Sequence, residues 1–398
     1  NQATKAMRSR YIVTLFLFLS ILSCEQEEAN WLKGNLHTHT YWSDGDGFPE
    51  MVLDWYKSND YQFIALSEHN IIARTEKWKK IPKSMIYQQA FEDYLKKFGE
   101  DWVEYKEDST GISVKLKTEP EYKPLFEEAG KFAIITAQEI TDGYGGKPLH
   151  MNATNVQELI QPRYGNSVAE TMQNNIDAVL EQREATGEPI MPHINHPNFG
   201  WAVTVEDMKS LRGERFFEVF NGHPQVHNYG DSTRMGMEEM WDQINIAYLN
   251  RNQPLMYGIA TDDSHNYHLF GGQYSNSGRG WVMVNSKSLD AKSIIETMEA
   301  GNFYASTGVS LASLEQDENE IELKVKADAG VSYTIEFIGV RKGSDKSEVF
   351  ETVNGTEASF ELTKEMLFIR ARISSSKIKE NPFQEGDYEM AWTQPISH

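Results

Sequence analysis

One arrangement repeats along the first three quarters of the chain: a short apolar run, a cluster of polar residues and then a helix-like segment. Apolar runs typical of buried strands occur at 31–36, 62–67, 131–137, 149–154, 188–191, 215–220, 255–260 and 281–284. Segments with helical periodicity occur at 48–59, 85–98, 167–186, 205–211, 237–250 and 291–301. Because strands that alternate with helices form parallel sheets, this pattern predicts a parallel α/β barrel. In such barrels the chemistry gathers at the carboxyl ends of the strands, which is where the polar clusters fall.

The pattern changes at about residue 309. Apolar and polar residues then alternate with a period of two over 321–326 and 332–338, and further short runs follow at 359–362 and 367–373. Short alternating strands separated by turn residues such as Asn354-Gly355 predict a small antiparallel β-sandwich domain over 309–398. This part contains no histidine before His398, so we expect no chemistry in it.

Residues 71–130 interrupt the repeat with a charged, aromatic stretch that contains one helix-like segment. We interpret this stretch as an insertion beside the polar clusters. It is either a surface elaboration or a cap that sets substrate specificity, and the sequence leaves both alternatives open.

The N-terminus is typical of an exported protein. A basic region with Arg8 and Arg10 precedes an apolar run over 11–22, which is too short to span a membrane comfortably. Cys24 is the only cysteine, and Ile21-Leu22-Ser23-Cys24 resembles a bacterial lipobox. We therefore expect a signal peptide and lipobox over 1–24 and a tether over 25–32. The protein would be an exported lipoprotein of the outer membrane, cell surface or periplasm, attached only through a lipid on Cys24, or alternatively a soluble secreted protein.

The composition limits the classes of binding partner that we expect for this protein. Hydrophobic residues make up 39% of the 398 residues, as in a globular protein. Lys and Arg number 38 against 59 Asp and Glu, which gives a net charge of −21. An acidic surface repels phosphate backbones, so a long nucleic acid held by charge is excluded as the expected partner.

The polar clusters are rich in metal ligands. His37 and His39 follow the first strand two residues apart, so both imidazoles point to the same side. We place seven of the 11 histidines and five acidic residues near strand ends in one site: His37, His39, His69, His150, His193, His196, His265, Asp44, Glu68, Glu139, Asp262 and Asp263. Histidine and carboxylate bind zinc, manganese or iron, and this set exceeds the needs of one ion. It predicts two to three divalent transition metals.

The sequence leaves the roles of four of these residues undecided. His193 and His196 compete for one ligand position, with the other histidine behind the ligand. Glu68 and Asp262 either orient ligands or move protons, and we name Glu68 and His193 as the candidates for proton transfer. The remaining histidines are predicted at the surface or the rim: His223, His227, His268 and His398.

The chain resembles the PHP (polymerase and histidinol phosphatase) superfamily. The resemblance rests on His37-Thr38-His39-Thr40 with Ser43-Asp44-Gly45, on Ser67-Glu68-His69-Asn70 and on Asp263-Ser264-His265. Glu68 departs from the family, which usually has Asp there. The resemblance covers about residues 33–308 and implies a distorted (β/α)7 barrel with a trinuclear metal centre.

By that resemblance, three ligand sets hold the metals: His37, His39, Glu139 and Asp263; Glu139, His150 and His196; Asp44, His69 and His265. Residues 302–308 and 391–396 resemble a secreted branch with a C-terminal β domain. That branch includes enzymes that cleave carbamates and amides as well as phosphatases, so the fold does not settle the bond that is cut.

These observations predict a metal-dependent hydrolase. The first hypothesis is a phosphoesterase that hydrolyses a small phosphate ester with a metal-bridging hydroxide at a di- or trinuclear site. Three divalent cations, three carboxylates and that hydroxide leave a charge of about +2, which suits a phosphate dianion. The alternatives are hydrolysis of an amide, carbamate or carboxylic ester, and a surface binding module with a structural metal. Arg163, Arg251 and Arg279 are candidate phosphate clamps, although each is more typical of a surface residue.

Overall fold

The structure is a computed structural model that describes residues 30–398. The predicted signal peptide and lipobox, and most of the predicted tether, lie outside the described residues. Within 30–398, the helices are too short or too polar to cross a membrane.

The described chain is a mixed α/β structure. Its helices α1 to α7 span Pro49–Ser58, Met85–Phe98, Glu119–Phe126, Val168–Thr186, Val205–Lys209, Met237–Leu249 and Ala291–Glu299. Strands β1 to β10 span Trp31–Asn35, Phe63–Leu66, Trp78–Lys80, Tyr105–Asp108, Gly111–Lys115, Ala133–Tyr144, Lys147–Thr154, Met191–Ile194, Phe216–Asn221 and Tyr257–Thr261. Strands β11 to β19 span Trp281–Asn285, Phe303–Ser306, Leu311–Gln316, Glu320–Val325, Tyr333–Arg341, Ser347–Asn354, Glu357–Glu361, Met366–Ile378 and Tyr388–Thr393.

One sheet of 13 strands runs through the described chain in the order β10-β9-β8-β7-β6-β2-β1-β11-β12-β19-β18-β15-β16. The neighbours β1, β2 and β6 are parallel, as are β8, β9 and β10. However, β7 runs antiparallel to both of its neighbours, and β11 runs antiparallel to β1. The expected all-parallel arrangement is therefore wrong, because the sheet is mixed.

The reason lies in the connection between β6 and β7. Gly145 and Gly146 have φ of 60° and 81°, a left-handed conformation that glycine adopts without strain, and they close a tight hairpin with no crossover helix. Strand β6 is also longer than expected and runs on to Tyr144. Glu139 therefore lies inside a strand and not after its end, opposite Asn152 of β7.

Backbone hydrogen bonds join the chain after β1 to the chain after β10. His39 N donates to Ser264 O over 3.0 Å, and Asp263 N donates to His37 O over 3.1 Å. The carboxyl ends of these two strands therefore meet although their last residues, Asn35 and Thr261, are 226 positions apart. A closed seven-stranded barrel remains a prediction.

The C-terminal strands continue the large sheet. Strand β12 pairs with β19, and a separate three-stranded sheet of β13, β14 and β17 shares a hydrophobic cluster with β15 and β18. Arg370, which is 1% exposed, donates to Asp242 and Glu238 of α6 over 2.8 and 3.1 Å. The predicted sandwich and the boundary at 309 remain predictions, but the two parts are joined by both a sheet and a buried ion pair.

The insertion is more ordered than the sequence indicated. Its helix α2 has the predicted bounds, and it also contains α3 and a three-stranded sheet of β3, β5 and β4. It packs on α1 through a shared aromatic cluster. Trp42 Nε1 donates to Lys117 O over 3.0 Å, and Lys77 Nζ donates to Trp42 O. The insertion therefore supports the loop that follows His39.

Glu214, just before β9, should make the stability of the protein depend on pH. It is 3% exposed and accepts a hydrogen bond from the Tyr248 hydroxyl, and burial raises its pKa from 4.5 to about 7. The pKa of Glu214 is higher in the folded protein than in the unfolded chain, so protonation of Glu214 stabilises the folded protein. This contribution to the free energy of unfolding is fully present below about pH 4.5 and is lost as pH rises through about 7. We expect the free energy of unfolding to fall between pH 5 and pH 8 by about 2–3 kcal/mol more in the wild type than in Glu214→Gln.

Urea denaturation of both proteins at the two pH values measures this difference. The glutamine keeps a carbonyl acceptor for Tyr248, so only the titration is removed. Parallel stability curves for the two proteins would contradict the assignment.

Candidate metal centre

All nine predicted ligands come together in the structure. They fall, with two further residues, into groups whose ligand atoms all lie within 4.8 Å of one another. The groups are His39, Asp44, His69 and His265; His37, Glu139 and His196; His37, His39 and Asp263; His37, His193 and Glu218; and His69, Glu139 and His150. Because members are shared, the groups form one continuous cluster.

His37 and His39 form the buried side of this cluster. Both side chains are 0% exposed, and their Nε2 atoms lie 3.1 Å apart. Asp263 Oδ1 is 3.2 Å from His37 Nε2 and 3.4 Å from His39 Nε2. Three donor atoms from two distant segments therefore converge on one point, as binding of a shared cation requires.

Glu139 is the centre of the cluster. Its two carboxylate oxygens lie 2.9–3.7 Å from ring nitrogens of five histidines, namely His37, His39, His69, His150 and His196. Asn195 Nδ2 donates to Oε1 over 2.8 Å and fixes the carboxylate in place. Both oxygens of Glu139 therefore face several potential ligands at once.

The solvent-facing side is formed by Asp44 with His69 and His265. Asp44 is 56% exposed, and its oxygens lie 3.3 Å from His69 Nε2 and from His265 Nε2. Gly45 is required next to it because a Cβ there would lie 2.5 Å from His39 O. The close turn lets the aspartate reach back over the two histidines.

Three non-glycine residues of the site have left-handed backbone. Asn70, His196 and Asp263 have φ of 50°, 23° and 49°. Asn70 is held by Thr141, whose N–H donates to its Oδ1 over 2.9 Å and whose O accepts from its Nδ2 over 2.8 Å. Backbone strain of this kind persists where surrounding contacts enforce it, and it is common at functional sites.

Sequence reasoning missed Glu218. It lies in the middle of β9 and is 0% exposed; its Oε1 is 2.6 Å from His37 Nδ1, and its Oε2 accepts from His196 N over 2.8 Å. A carboxylate that accepts from one ring nitrogen orients the other nitrogen toward the metal. The available signal was a single acidic residue inside the apolar run 216–220, since a buried carboxylate must be paired.

Two predicted acids support the loops that carry the ligands. Glu68 is 2% exposed and accepts from Thr40 Oγ1 over 2.6 Å and from Ser43 Oγ. Asp262 accepts from the backbone N–H groups of Gly278, Arg279 and Gly280 over 2.6–2.9 Å. Glu68 thus fixes the turn before Asp44, and Asp262 fixes the loop after His265.

His193 lies behind His37. It is 0% exposed, and its Nε2 is 3.5 Å from Glu218 Oε1. Neither ring nitrogen makes a hydrogen bond to any residue in 30–398. His196 is the histidine that faces Glu139, whereas His193 is on the Glu218 side. The proton-transfer roles of His193 and Glu68 remain predictions.

Of the histidines expected at the surface or rim, His223 lies nearest the cluster. Its ring centroid is 5.6 Å from that of His265 and 5.5 Å from that of Phe199. Burial lowers the pKa of His223 to about 4 in spite of the Asp263 carboxylate. Gln225 N donates to its Nδ1 over 3.2 Å, so the proton of the neutral ring is on Nε2.

The candidate phosphate clamps lie elsewhere. Arg163 pairs with Glu181 at the surface, and Arg251 donates to the carbonyls of Ala247 and Lys209. Arg279 is 2% exposed, so its expected surface position is wrong. Among residues 30–398, no arginine hydrogen-bonds to a side chain of the metal-centre groups.

The carboxylates and imidazoles of the cluster shift one another's pKa values. Burial alone would lower the pKa of His37, but the carboxylates of Asp263, Glu218 and Glu139 outweigh burial and raise it. Burial would raise the pKa values of Glu139 and Asp263, yet the surrounding histidines hold both well below the usual range. The carboxylates therefore stay ionised inside the protein and make the cavity attractive to cations.

The donor set fits divalent transition metals. Nitrogen and oxygen ligands of this type bind zinc, manganese and iron. Glu139 Oε2 and His150 Nδ1 are buried and make no hydrogen bond of acceptable geometry to any described residue, so their lone pairs are free for coordination. The residues thus fit a metal centre.

No protein-family model matches the chain, and no curated protein matches it. Solved structures with some likeness include a two-domain protein from Bacteroides vulgatus ATCC 8482 described as containing a predicted PHP-like metal-dependent phosphoesterase. It has 12% identity and a TM-score of 0.38, and the match covers 92% of this chain and 95% of that one.

A structure from Bifidobacterium adolescentis ATCC 15703, described as that of a putative metal-dependent phosphoesterase, has 11% identity and a TM-score of 0.29, over 61% of this chain and 92% of that one. An amidohydrolase from Chromobacterium violaceum, with bound sulfate and no metal, has 10% identity and a TM-score of 0.26, over 58% of this chain and 87% of that one. Likeness at this level carries no conclusion about the activity of this chain.

Proposed function

We propose that the chain is a metal-dependent hydrolase that cleaves a small phosphate ester at a centre of two or three divalent transition metals. One observation carries the proposal: nine ligand side chains, drawn from positions 37 to 265, converge in one cluster with a half-exposed edge at Asp44. A purely structural metal site needs no such open edge.

The chain's own residues have separable tasks in this proposal. Glu139 would bind metal through both of its oxygens, Glu218 orients the ring of His37, and Asp44 would be the ligand on the solvent-exposed side. Glu68 acts as a positioning residue for the turn that presents Asp44. When bound, the metals would supply Lewis acidity and an activated water.

A positive charge near the solvent-facing side of the cluster supports an anionic substrate. Lys79, on β3 of the insertion, places its Nζ 4.8 Å from the ring centroid of Tyr41, on the loop that carries Asp44. Burial lowers the pKa of Lys79, while Asp44 and Glu68 attract its charge. With two or three bound dications, this edge would favour a phosphate dianion, and the insertion would then contribute to substrate binding.

A second function is hydrolysis of an amide, carbamate or carboxylic ester at the same centre. The observation that favours it is the position of Arg279, whose guanidinium donates to backbone carbonyls and not toward the cluster. Phosphoryl chemistry benefits from several cationic donors, whereas a tetrahedral carbonyl intermediate needs one or two.

We also propose export as a lipoprotein anchored through Cys24, with a small-molecule substrate met outside the cytoplasm. Support comes from the basic, apolar and Ser23-Cys24 pattern of the N-terminus. The net charge of −21 disfavours a long nucleic acid as substrate.

Removing shared ligands should change the metal content in a graded way. We expect Glu139→Gln to lose more bound metal than His265→Ala, because Glu139 contacts five histidines and His265 serves only the Asp44 group. Elemental analysis of dialysed protein gives the ratio of metal to chain. The control is His227→Ala, whose exposed ring stacks on Trp201 away from the cluster.

Full metal content in Glu139→Gln, or none in the wild type, would refute the proposed centre.

Glu218→Gln tests the residue that sequence reasoning missed. The amide keeps the shape but loses the negative charge that orients His37, so we expect metal affinity to fall about 10- to 100-fold. Competition with a chromogenic chelator measures the affinity. Glu214→Gln, at another buried carboxyl two residues before the same strand, is the matched control and should leave affinity unchanged.

Equal metal affinities in Glu218→Gln and the wild type would remove Glu218 from the centre.

The function itself is tested by a panel of p-nitrophenyl phosphate, bis-p-nitrophenyl phosphate, p-nitrophenyl acetate and a p-nitrophenyl carbamate. The metal-reconstituted wild type should release p-nitrophenol fastest from a phosphate ester, and Glu139→Gln should lose that activity by about 100-fold or more. Faster cleavage of the acetate or carbamate, with no turnover of either phosphate, would establish the second function in place of the first.

A further inference from the structure

His223 lies beside the metal centre but belongs to none of the ligand groups found among residues 30–398. Its ring centroid is 5.6 Å from that of His265 and 5.5 Å from that of Phe199. The Phe199 ring in turn lies 5.0 Å from the ring of His196. Because His196 and His265 belong to different ligand groups, His223 and Phe199 form one side of the cluster next to both groups.

The backbone at His223 is tied to the buried carboxylates of the centre. Its N–H donates to Asn221 Oδ1 over 2.8 Å. Asn221 Nδ2 donates to Asp263 Oδ2 over 3.1 Å and to Glu218 Oε2 over 2.7 Å. The position of His223 is therefore fixed relative to the cluster through a single buried asparagine.

One edge of the His223 ring is used within the protein, and the other edge is free. Gln225 N donates to Nδ1 over 3.2 Å, so the proton of the neutral ring is on Nε2. Among residues 30–398, nothing accepts a hydrogen bond from Nε2, and yet Nε2 is not one of the fully buried atoms that lack a partner. Its N–H is therefore open to solvent and available to a ligand.

A phosphate ester at this centre needs donors that the arginines do not supply. No arginine in the described part of the chain hydrogen-bonds to a side chain of the ligand groups. Donors that are fixed before the substrate arrives, at a site with little water, stabilise a charged oxygen most effectively. His223 meets both conditions, because its backbone is anchored and its ring is half-buried next to the apolar ring of Phe199.

We propose that His223 is a substrate-binding residue whose Nε2–H donates a hydrogen bond to an oxygen of the substrate's phosphate group. This inference rests on the proposed function, because it requires a phosphate ester at the metal centre. It adds a residue that recognises the substrate and holds no metal. Phosphate affinity should therefore depend on a donor at position 223, whereas metal content should not.

Isothermal titration calorimetry of metal-loaded protein with inorganic phosphate tests this hydrogen bond. His223→Phe keeps a ring beside Phe199 but removes the donor, and we expect it to bind phosphate about tenfold or more weakly than the wild type. His223→Gln places an amide N–H near the position of Nε2 and should recover most of the affinity. His227→Phe, at an exposed histidine that stacks on Trp201, is the control and should bind phosphate like the wild type.

If His223→Phe does not fold, as judged by its thermal unfolding, His223→Leu takes its place. Equal phosphate affinity in the donor-free variant and the wild type would overturn the proposal. A loss in His223→Gln as large as that in His223→Phe would also overturn it, because the shape of the ring and not its donor would then matter.

Elemental analysis separates substrate binding from metal binding. We expect the metal content of the wild type in every variant at position 223. A lower metal content in His223→Phe would assign His223 to the metals and overturn its role as a residue that binds only the substrate.

The panel of p-nitrophenyl esters distinguishes failure of this inference from failure of the proposed function. We expect His223→Phe to lower kcat/KM for the phosphate ester about tenfold or more. If the wild type turns over a phosphate ester and His223→Phe matches it in kcat/KM and in phosphate affinity, only the role of His223 is overturned. If the wild type cleaves only the acetate or the carbamate, the proposed function fails and this inference fails with it.

Discussion

Charge compensation in a buried space is the constraint on which the rest of this structure depends. Glu139, Asp263 and Glu218 are 0–3% exposed, and each would be protonated if it were buried alone. Imidazoles from strands far apart in the chain surround them, so the carboxylates stay ionised. The sheet topology, the left-handed residues and the hydrogen-bonded loops all hold these opposite charges at contact distance.

The residues that form the cluster were predictable because their signal is local. The spacing of His37 and His39, and the position of His69 and His265 after apolar runs, follow from neighbouring residues alone. Glu218 was not predictable in this way, because its role appears only through a contact with His37, 181 positions away. Arg279 was misjudged for the same reason, since its carbonyl partners lie on three separate segments.

The fold was predictable at the level of elements and less so at the level of their arrangement. The bounds of α2 and the alternation of β14 followed from periodicity. Strand direction did not, because the hairpin between β6 and β7 replaces a helical crossover by two glycines. The short strands of the insertion have little hydrophobic pattern of their own and are defined by pairing with each other and packing on α1.

Arg279 connects three parts of the molecule. Its guanidinium donates to the carbonyls of Tyr274 and Gly271 in the loop after His265, to Gly222 after β9 and to Asn381 near the C-terminus. The loop that presents Asp263 and His265 is thus fastened to backbone from beyond residue 309. The C-terminal part is therefore not an exchangeable module: a hybrid protein that replaced residues 309–398 would need to reproduce a carbonyl at the position of Asn381 to keep the loop after His265 in place.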